Sequence, residues 1–308
     1  MDPLSEVLAL MKPESYVSGG YEVAPGTAVQ FPKRAGVKCY AVMSGQCWLS
    51  VDGSSDAVLL QAGECYILPH GLPFCLATDR AATPVDYETL RSVRKWGNEV
   101  PSDQQCGCFL AGGHFVLTGP QADLLLGPLP PVVHLGKEAD KDAMRSSLAR
   151  MREEVSEARP GGAIVMQQLA YALLVQALRL YVEDEATGRA GWLFALADEK
   201  LSKALRCMHG KPGYNWSLQE LAESVGMSRS LFAVKFKDTV GTSPMEYLTR
   251  WRMLLACSRL EASGEFLSEL ASSLGYQSES AFGKAFKRVM GCSPRQYKLL
   301  DKSNNRDD

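Results

Sequence analysis

The chain has 308 residues, 46% hydrophobic and 22% charged. That is about twice the usual single-domain length, so two domains are expected, and the composition excludes a disordered or collagen-like chain. The formal charge of −2 argues against a polyanion partner only if charge is spread evenly, and it is not. Residues 198–308 hold 17 Lys and Arg against 13 Asp and Glu, a net of +4, while residues 1–197 hold 16 against 22, a net of −6. The basic C-terminal part is the one suited to a polyanion.

The N-terminus, MDPLSEVLALMKPE, carries Asp2 and Glu6 and has no basic start followed by a long apolar run, so no export or membrane signal is expected. Nine cysteines form no regular framework, which fits reduced thiols in a cytoplasm. From residue 20 to about 118 short runs of β-branched, aromatic and Cys residues alternate with turn residues. Strands are expected at Val37–Met43, Cys47–Val51, Ala57–Leu60, Cys65–Leu68 and Cys108–Leu110, broken at Ser44-Gly45, Asp52-Gly53, Ala62-Gly63 and Pro69-His70-Gly71. Many short strands with turns predict a small barrel or sandwich. Proline and glycine dominate 119–131. A charged amphipathic helix follows at Lys137–Ala158, then an apolar one at Ala163–Tyr181, with Ile164, Tyr171, Leu174, Leu178 and Tyr181 on one face. Its most apolar stretch, Ala163–Leu178, contains Gln167, Gln168 and Gln176 and is short for a membrane span. It reads as a buried or dimer-forming helix. Glu183–Gly191 reads as a solvated connection, and the chain is helical from Asp198 to Lys298. The fold class is therefore α+β: a barrel in 1–118, a helical connector in 119–191 and an all-α domain in 192–308.

The all-α part contains a repeat. Leu218, Glu220, Leu221, Ala222 and Gly226 match Leu267, Glu269, Leu270, Ala271 and Gly275 at an offset of 49. After one inserted residue, Ser228, Ser230, Phe232, Phe236, Lys237, Gly241, Ser243, Pro244 and Tyr247 match the residues fifty further on, Ser278 to Tyr297. Each copy has the parts of a helix-turn-helix. A short helix ends at Gly226 or Gly275, where positive φ suits the turn. Ser228 or Ser278 caps a second helix, and two Phe four apart glue it to the first. Gly-X-Ser-Pro then ends one helix and starts another, with Glu246 or Gln296 placed to close a capping box. The helix after Pro244 joins the copies. A second helix of this kind fits the major groove of double-stranded DNA, and two on a rigid linker can enter successive grooves, roughly 34 Å apart.

These residues resemble the AraC/XylS family of bacterial transcription regulators, whose signature G-Y-x-S-x-S-x-F-x-x-x-F-K-R-x-x-G-x-S-P-x-x-Y fits Gly275 to Tyr297. The resemblance covers about residues 198–298. It implies a seven-helix domain with two helix-turn-helix units, promoter DNA and RNA polymerase as partners, and no enzyme activity. It places Ser230, Ala233 and Val234 of the first recognition helix towards the bases, with Arg229 and Lys237 towards phosphates. On the second it places Glu279, Ser280, Gly283 and Lys284 towards the bases and Lys287 and Arg288 towards the backbone. Val234 departs from the family, where a long polar or basic residue is usual; it can touch a thymine methyl or leave the base unread. Glu279 can accept from a cytosine amino group or simply favour its helix N-terminus.

Gly63 to Gly71 resembles the second motif of cupin barrels, G-x5-P-x-G, as found in cupin-type sensor domains. A metal-binding cupin offers two His and an acidic residue from its first motif and a His from its second. Here Lys38-Cys39-Tyr40 has no His and Phe74 takes the second-motif His place, so no metal and no cofactor are expected. Six cysteines (39, 47, 65, 75, 106 and 108) lie in the barrel. Cys106-Gly107-Cys108 is the sharpest group, able to form a strained disulfide or bind a soft metal, against the plain alternative of small apolar side chains in strands. His70 reads as a turn residue at the barrel mouth, and His114, after Gly112-Gly113, reads similarly. The barrel also suits a small organic effector. Redox or metal sensing through Cys106 and Cys108, a cupin enzyme fused to a DNA reader, and a constitutive DNA binder whose barrel only dimerises are the rivals. No phosphate loop, catalytic triad or paired-carboxylate pattern is present.

Overall fold

The computed structural model describes residues 2–10, 13–54, 56–89, 107–117, 122, 126–157, 159–183, 191–262 and 265–304. The chain forms two compact units. One gathers Pro13–Thr118 and Leu129–Glu185. The other gathers Met1–Lys12, Gly119–Pro128 and Ala186–Asp308, so that an N-terminal helix, α1 (Pro3–Leu10), belongs with the C-terminal helices. This grouping departs from the division at residue 118. The apolar spacing of Leu4, Val7 and Leu8, all buried, gives α1 a face that packs on helices two hundred residues away in sequence.

The first unit is a nine-stranded curled sheet, a cupin-like half-barrel: β1 (Pro13–Val23), β2 (Ala28–Phe31), β3 (Val37–Val51), β4 (Val58–Gln61), β5 (Cys65–Leu68), β6 (Phe74–Ala77), β7 (Pro84–Asp86), β8 (Cys108–Leu117) and β9 (Val133–Leu135). The main path runs β1-β8-β3-β6-β2-β7, with β4 and β5 on β3 and β9 on β5. Ser44-Gly45, read from sequence as a break, does not end the strand. Residues 37–45 of β3 pair with β5 and β8, residues 46–51 pair with β4 and β6, and the register shifts between Val42 and Ser44. A bulge lets one strand bend without losing its ladder, so β3 carries both walls. Tyr21, Val42, Leu49, Tyr66, Leu68, Phe74 and Leu110 fill the concave interior.

The other face is covered by α2 (Glu138–Glu157) and α3 (Gly162–Glu183). Met166, Ala170, Leu173, Leu174, Ala177, Leu178 and Tyr181 form the buried stripe of α3, and Tyr171 meets Phe115 of β8 edge to face at 5.9 Å. At 22 residues α3 is longer than its apolar stretch suggests, and by length and composition it is long enough to cross a membrane. Its buried stripe packs on the sheet. A polar knot fastens α2: the buried Glu64 carboxylate accepts from His134 Nε2 at 2.9 Å and from the Gln61 N–H at 3.0 Å, with Lys141 Nζ at 3.4 Å.

The second unit continues with α4 (Trp192–Ala195), α5 (Glu199–Gly210), α6 (Leu218–Ser224), α7 (Arg229–Val240), α8 (Pro244–Ala262), α9 (Leu267–Ser273), α10 (Glu279–Met290) and α11 (Pro294–Asn304). Seven helices from residue 199 onwards match the expected number, and α4 adds one turn. A buried aromatic node ties α1, α5 and α8 together. His209 stacks on Trp251 at 3.8 Å and bonds Glu6 Oε2 through Nδ1 at 3.0 Å and the Tyr247 hydroxyl through Nε2 at 2.8 Å. A carboxylate only accepts, so Nδ1 carries the proton and Nε2 accepts from Tyr247. Burial holds His209 below its ordinary value despite the Glu6 bond.

Candidate functional site

The two helix-turn-helix units, α6–α7 and α9–α10, are built alike atom by atom in their cores. Phe232 and Phe236 are buried with ring centroids 5.6 Å apart, and Phe282 and Phe286 are buried 5.7 Å apart. Phe236 meets Tyr247 at 5.8 Å and 70°, and Phe286 meets Tyr297 at 5.7 Å and 77°. From 228 to 246 every position is as buried, half-buried or exposed as the one fifty residues later. Ser228 accepts from the Leu231 N–H at 3.3 Å and Ser278 from the Ala281 N–H at 3.1 Å, so both recognition helices are capped as expected. Both end on a left-handed glycine, Gly241 at φ 85° and Gly291 at φ 79°, which a Cβ would disfavour. Ser243–Glu246 and Ser293–Gln296 close the expected boxes at the next helix starts.

With the Phe pair turned inward, helical geometry puts 230, 233, 234 and 237 on the opposite face of α7, and 280, 283, 284 and 287 on that of α10. Arg229, Ser230, Val234 and Lys237 are exposed, as are Glu279, Ser280, Lys284, Lys287 and Arg288, while Ala233 and Gly283 are half-buried at matching positions. The helices differ in what they expose. Leu231 and Val234 stand 58% and 59% exposed on α7, where α10 has Ala281 and Lys284. Glu279 Oε1 lies 3.9 Å from Arg295 at the start of α11. Lys235, a residue of α7 with no signal in the repeat, pairs its ammonium with Asp198, the cap of α5. Burial alone would raise the Asp198 carboxyl, but Lys235 and two backbone N–H groups hold it below its ordinary value. Lys235 thus anchors α7 and is withdrawn from any ligand.

Of the proposed sensor residues, Cys106 lies outside the described residues and Cys108 is fully buried in β8. His70 sits in an exposed turn, its Nε2 bonded to the Leu129 carbonyl at 2.8 Å. His114 is a correction. It lies within β8, buried, with Nε2 2.7 Å from the Ala35 carbonyl. The preceding glycines make no turn: a Cβ on Gly112 would fall 2.1 Å from the Cys39 oxygen, so Gly112 allows close strand approach. The structure brings two other thiols together, Cys39 and Cys65, buried with sulfurs 3.8 Å apart. Among the described residues no three or more His, Cys, Asp or Glu gather as a metal site. A cavity of about 70 Å³ opens inside the half-barrel, bounded by Lys38, Tyr40 and Phe74, the positions where the cupin resemblance looked for metal ligands.

A cupin-like half-barrel followed by two helix-turn-helix units is the architecture of a DNA-binding transcription regulator. Residues 2–183 match the Cupin family and residues 221–299 the Helix-turn-helix domain family. The chain is 37% identical over 299 residues to AraC-like transcription regulators of Streptomyces lividans and Streptomyces antibioticus, covering 97% of this chain and 98% of each relative. The DNA-binding domain of AdpA, solved in complex with a target DNA, aligns with 36% of this chain and 100% of that one at 25% identity and a TM-score of 0.34. The chain belongs to the AraC family of DNA-binding transcription regulators and carries a cupin domain.

Proposed function

We propose that the C-terminal unit reads two successive major grooves of a promoter, α7 entering one and α10 the next, while the cupin domain senses a small-molecule signal. The duplicated core carries this reading: two capped helices present matching faces at the two ends of α8, which at 19 residues spans roughly 28 Å. Ser230, Ala233, Val234, Glu279, Ser280, Gly283 and Lys284 face bases; Arg229, Lys237, Lys287 and Arg288 meet phosphates, with Ser228 and Ser278 at the helix starts. The division of labour runs through a sensor up to residue 118, a connector over 119–191 and a reader from 192, to which α1 contributes. The outer face of α3, where Ile164 is 67% exposed, forms a homodimer, and the protein acts in the cytoplasm, where it contacts RNA polymerase. A small molecule is favoured over an oxidant as signal because Cys108 is shielded while the half-barrel holds a cavity.

Mapping the promoters occupied in the cell, then footprinting the full-length protein on one, tests this. Two protected segments one helical turn apart, about 10 bp, are expected per protomer. A single protected segment would refute two-groove reading.

A further inference from the structure

The half-barrel cavity has an unusual floor. Lys38 lies in the middle of β3 and is only 6% exposed. Its ammonium has no hydrogen-bond partner among the described residues; its nearest polarisable neighbour is the Phe74 ring, with Nζ 5.2 Å from the centroid. A buried ammonium without a counter-charge is costly and is retained where something pairs with it. Strand alternation explains the direction. Lys38, Tyr40 and Val42 share the concave face, and His114 stands opposite Lys38 on β8. Arg34 and Glu88, both exposed, stand on the rim, and Glu88 is the one carboxylate among the described lining residues.

The walls are rings. Phe31 stacks on Phe74 at 4.4 Å and 2°, and Tyr87 on Phe31 at 4.8 Å and 28°. Tyr21 closes the side, its hydroxyl held 2.8 Å from that of Tyr66. Burial, with Arg34 adding to it, lowers Lys38 to about 8, so it is still mostly protonated at pH 7. The space of about 70 Å³ exceeds the ~10–15 Å³ that one water needs and is about half of the ~150 Å³ cavity that holds benzene.

We infer that this cavity binds a small organic carboxylate, its anionic head received by Lys38 and its apolar part by the rings of Phe31, Phe74 and Tyr87. A single buried cation balances a monoanion; the lining's other permanent cation, Arg34, stands on the exposed rim, so the second charge of a phosphate ester would lack a buried counter-charge. The inference deepens the small-molecule reading of the cupin domain and rests on it for its meaning in the cell.

Calorimetry on the full-length protein at pH 7 tests it, with acetate and propionate, which suit so small a space, against acetamide and propionamide. Each carboxylate is expected to bind at least tenfold more tightly than its amide. Lys38→Met, which keeps the stem, removes that advantage and leaves the amides unchanged, and Arg34→Gln on the rim weakens the carboxylates two- to threefold. Equal affinity for acid and amide, undiminished carboxylate binding by Lys38→Met, or binding of neither carboxylate overturns the site. Promoter affinity measured with and without propionate separates the two claims. Lys38-dependent propionate binding that leaves DNA affinity unchanged keeps the site and defeats the sensing role. DNA affinity that responds only to a neutral compound, equally in Lys38→Met, defeats the site and keeps the sensing role.

Discussion

The first and second helix-turn-helix units share a core and the caps and ends of their second helices, and differ in what surrounds these. Their four phenylalanines and two tyrosines occupy equivalent positions with ring distances that agree to 0.1 Å. Yet Tyr247 ends on His209 and Tyr297 on Glu261. Ser217 closes a capping box with Glu220 at the start of α6, whereas Phe266, in the matching place before α9, offers no cap and is 73% exposed. Where α7 exposes Leu231 and Val234, α10 has Ala281 and Lys284. Duplication thus preserved the residues that make the unit fold and released those that decide what it touches.

The largest expected effect tests the shared core. Phe232→Ala and Phe282→Ala should each cost about 3–5 kcal/mol in denaturant unfolding of the C-terminal unit. Values that differ by more than about 2 kcal/mol would show that the copies are not energetically equivalent. The divergent faces come next. Lys284→Ala should lose about 1–3 kcal/mol of promoter affinity and relax preference in one groove segment. Val234→Ala should lose less than about 1 kcal/mol, since it can give up only an apolar contact; a competition assay against mutated half-sites reads both.

The caps sharpen the contrast at about 1 kcal/mol. Ser217→Ala should destabilise by that amount, while Phe266→Ser, which gives the second copy the cap of the first, should stabilise by a similar one. Thermal unfolding measures the pair, and an unchanged midpoint for Phe266→Ser would mean that the aromatic already packs as usefully as a cap. Smaller again, Lys287→Ala should weaken binding to all sequences alike and reduce the slope of log affinity against log salt by about one.

The smallest effect is one of pH. His209 sits in the first copy's node only. Its folded value is held below the ordinary 6.5 by burial, so the folded state resists its protonation. The stability this contributes is fully present above about pH 6.5 and is lost as pH falls through that value towards the folded one. Stability measured by denaturant unfolding should fall further between pH 7 and pH 5 in the wild type than in His209→Gln. A larger fall in the variant would contradict the sign.

Much of the reader was legible because its determinants are local. A glycine with positive φ, a serine cap and two phenylalanines four apart act within a dozen residues, so Gly226 to Pro244 could be read as it stands. The sheet was harder. Ser44-Gly45 looks like a turn, but both residues pair with Phe109 and Cys108 of β8, just past the register shift after Val42, and that strand is far away in sequence. His114 misled for the same reason: Gly112-Gly113 resembles a turn until Cys39 is seen to need the space. Lys38 was visible in the alternation of VKCYAV, where period two sets it beside Tyr40 and Val42, but its want of a hydrogen-bond partner among the described residues is a property of neighbours that only the fold assembles. The Cys39–Cys65 approach is likewise a consequence of register.

Helix α1 precedes in the chain, by about two hundred residues, the helices that cover it. Glu6 and His209 are 203 residues apart, and Trp251 follows later still. At about 5–20 residues per second, Leu4, Val7 and Leu8 wait roughly ten to fifty seconds for the helices that cover them. The DNA-reading unit is therefore interrupted in sequence by the whole of the half-barrel, and it completes its fold only after synthesis has passed that domain. Closing so long a loop costs chain entropy slowly but surely, which makes α1 the contact expected to form last and to open first.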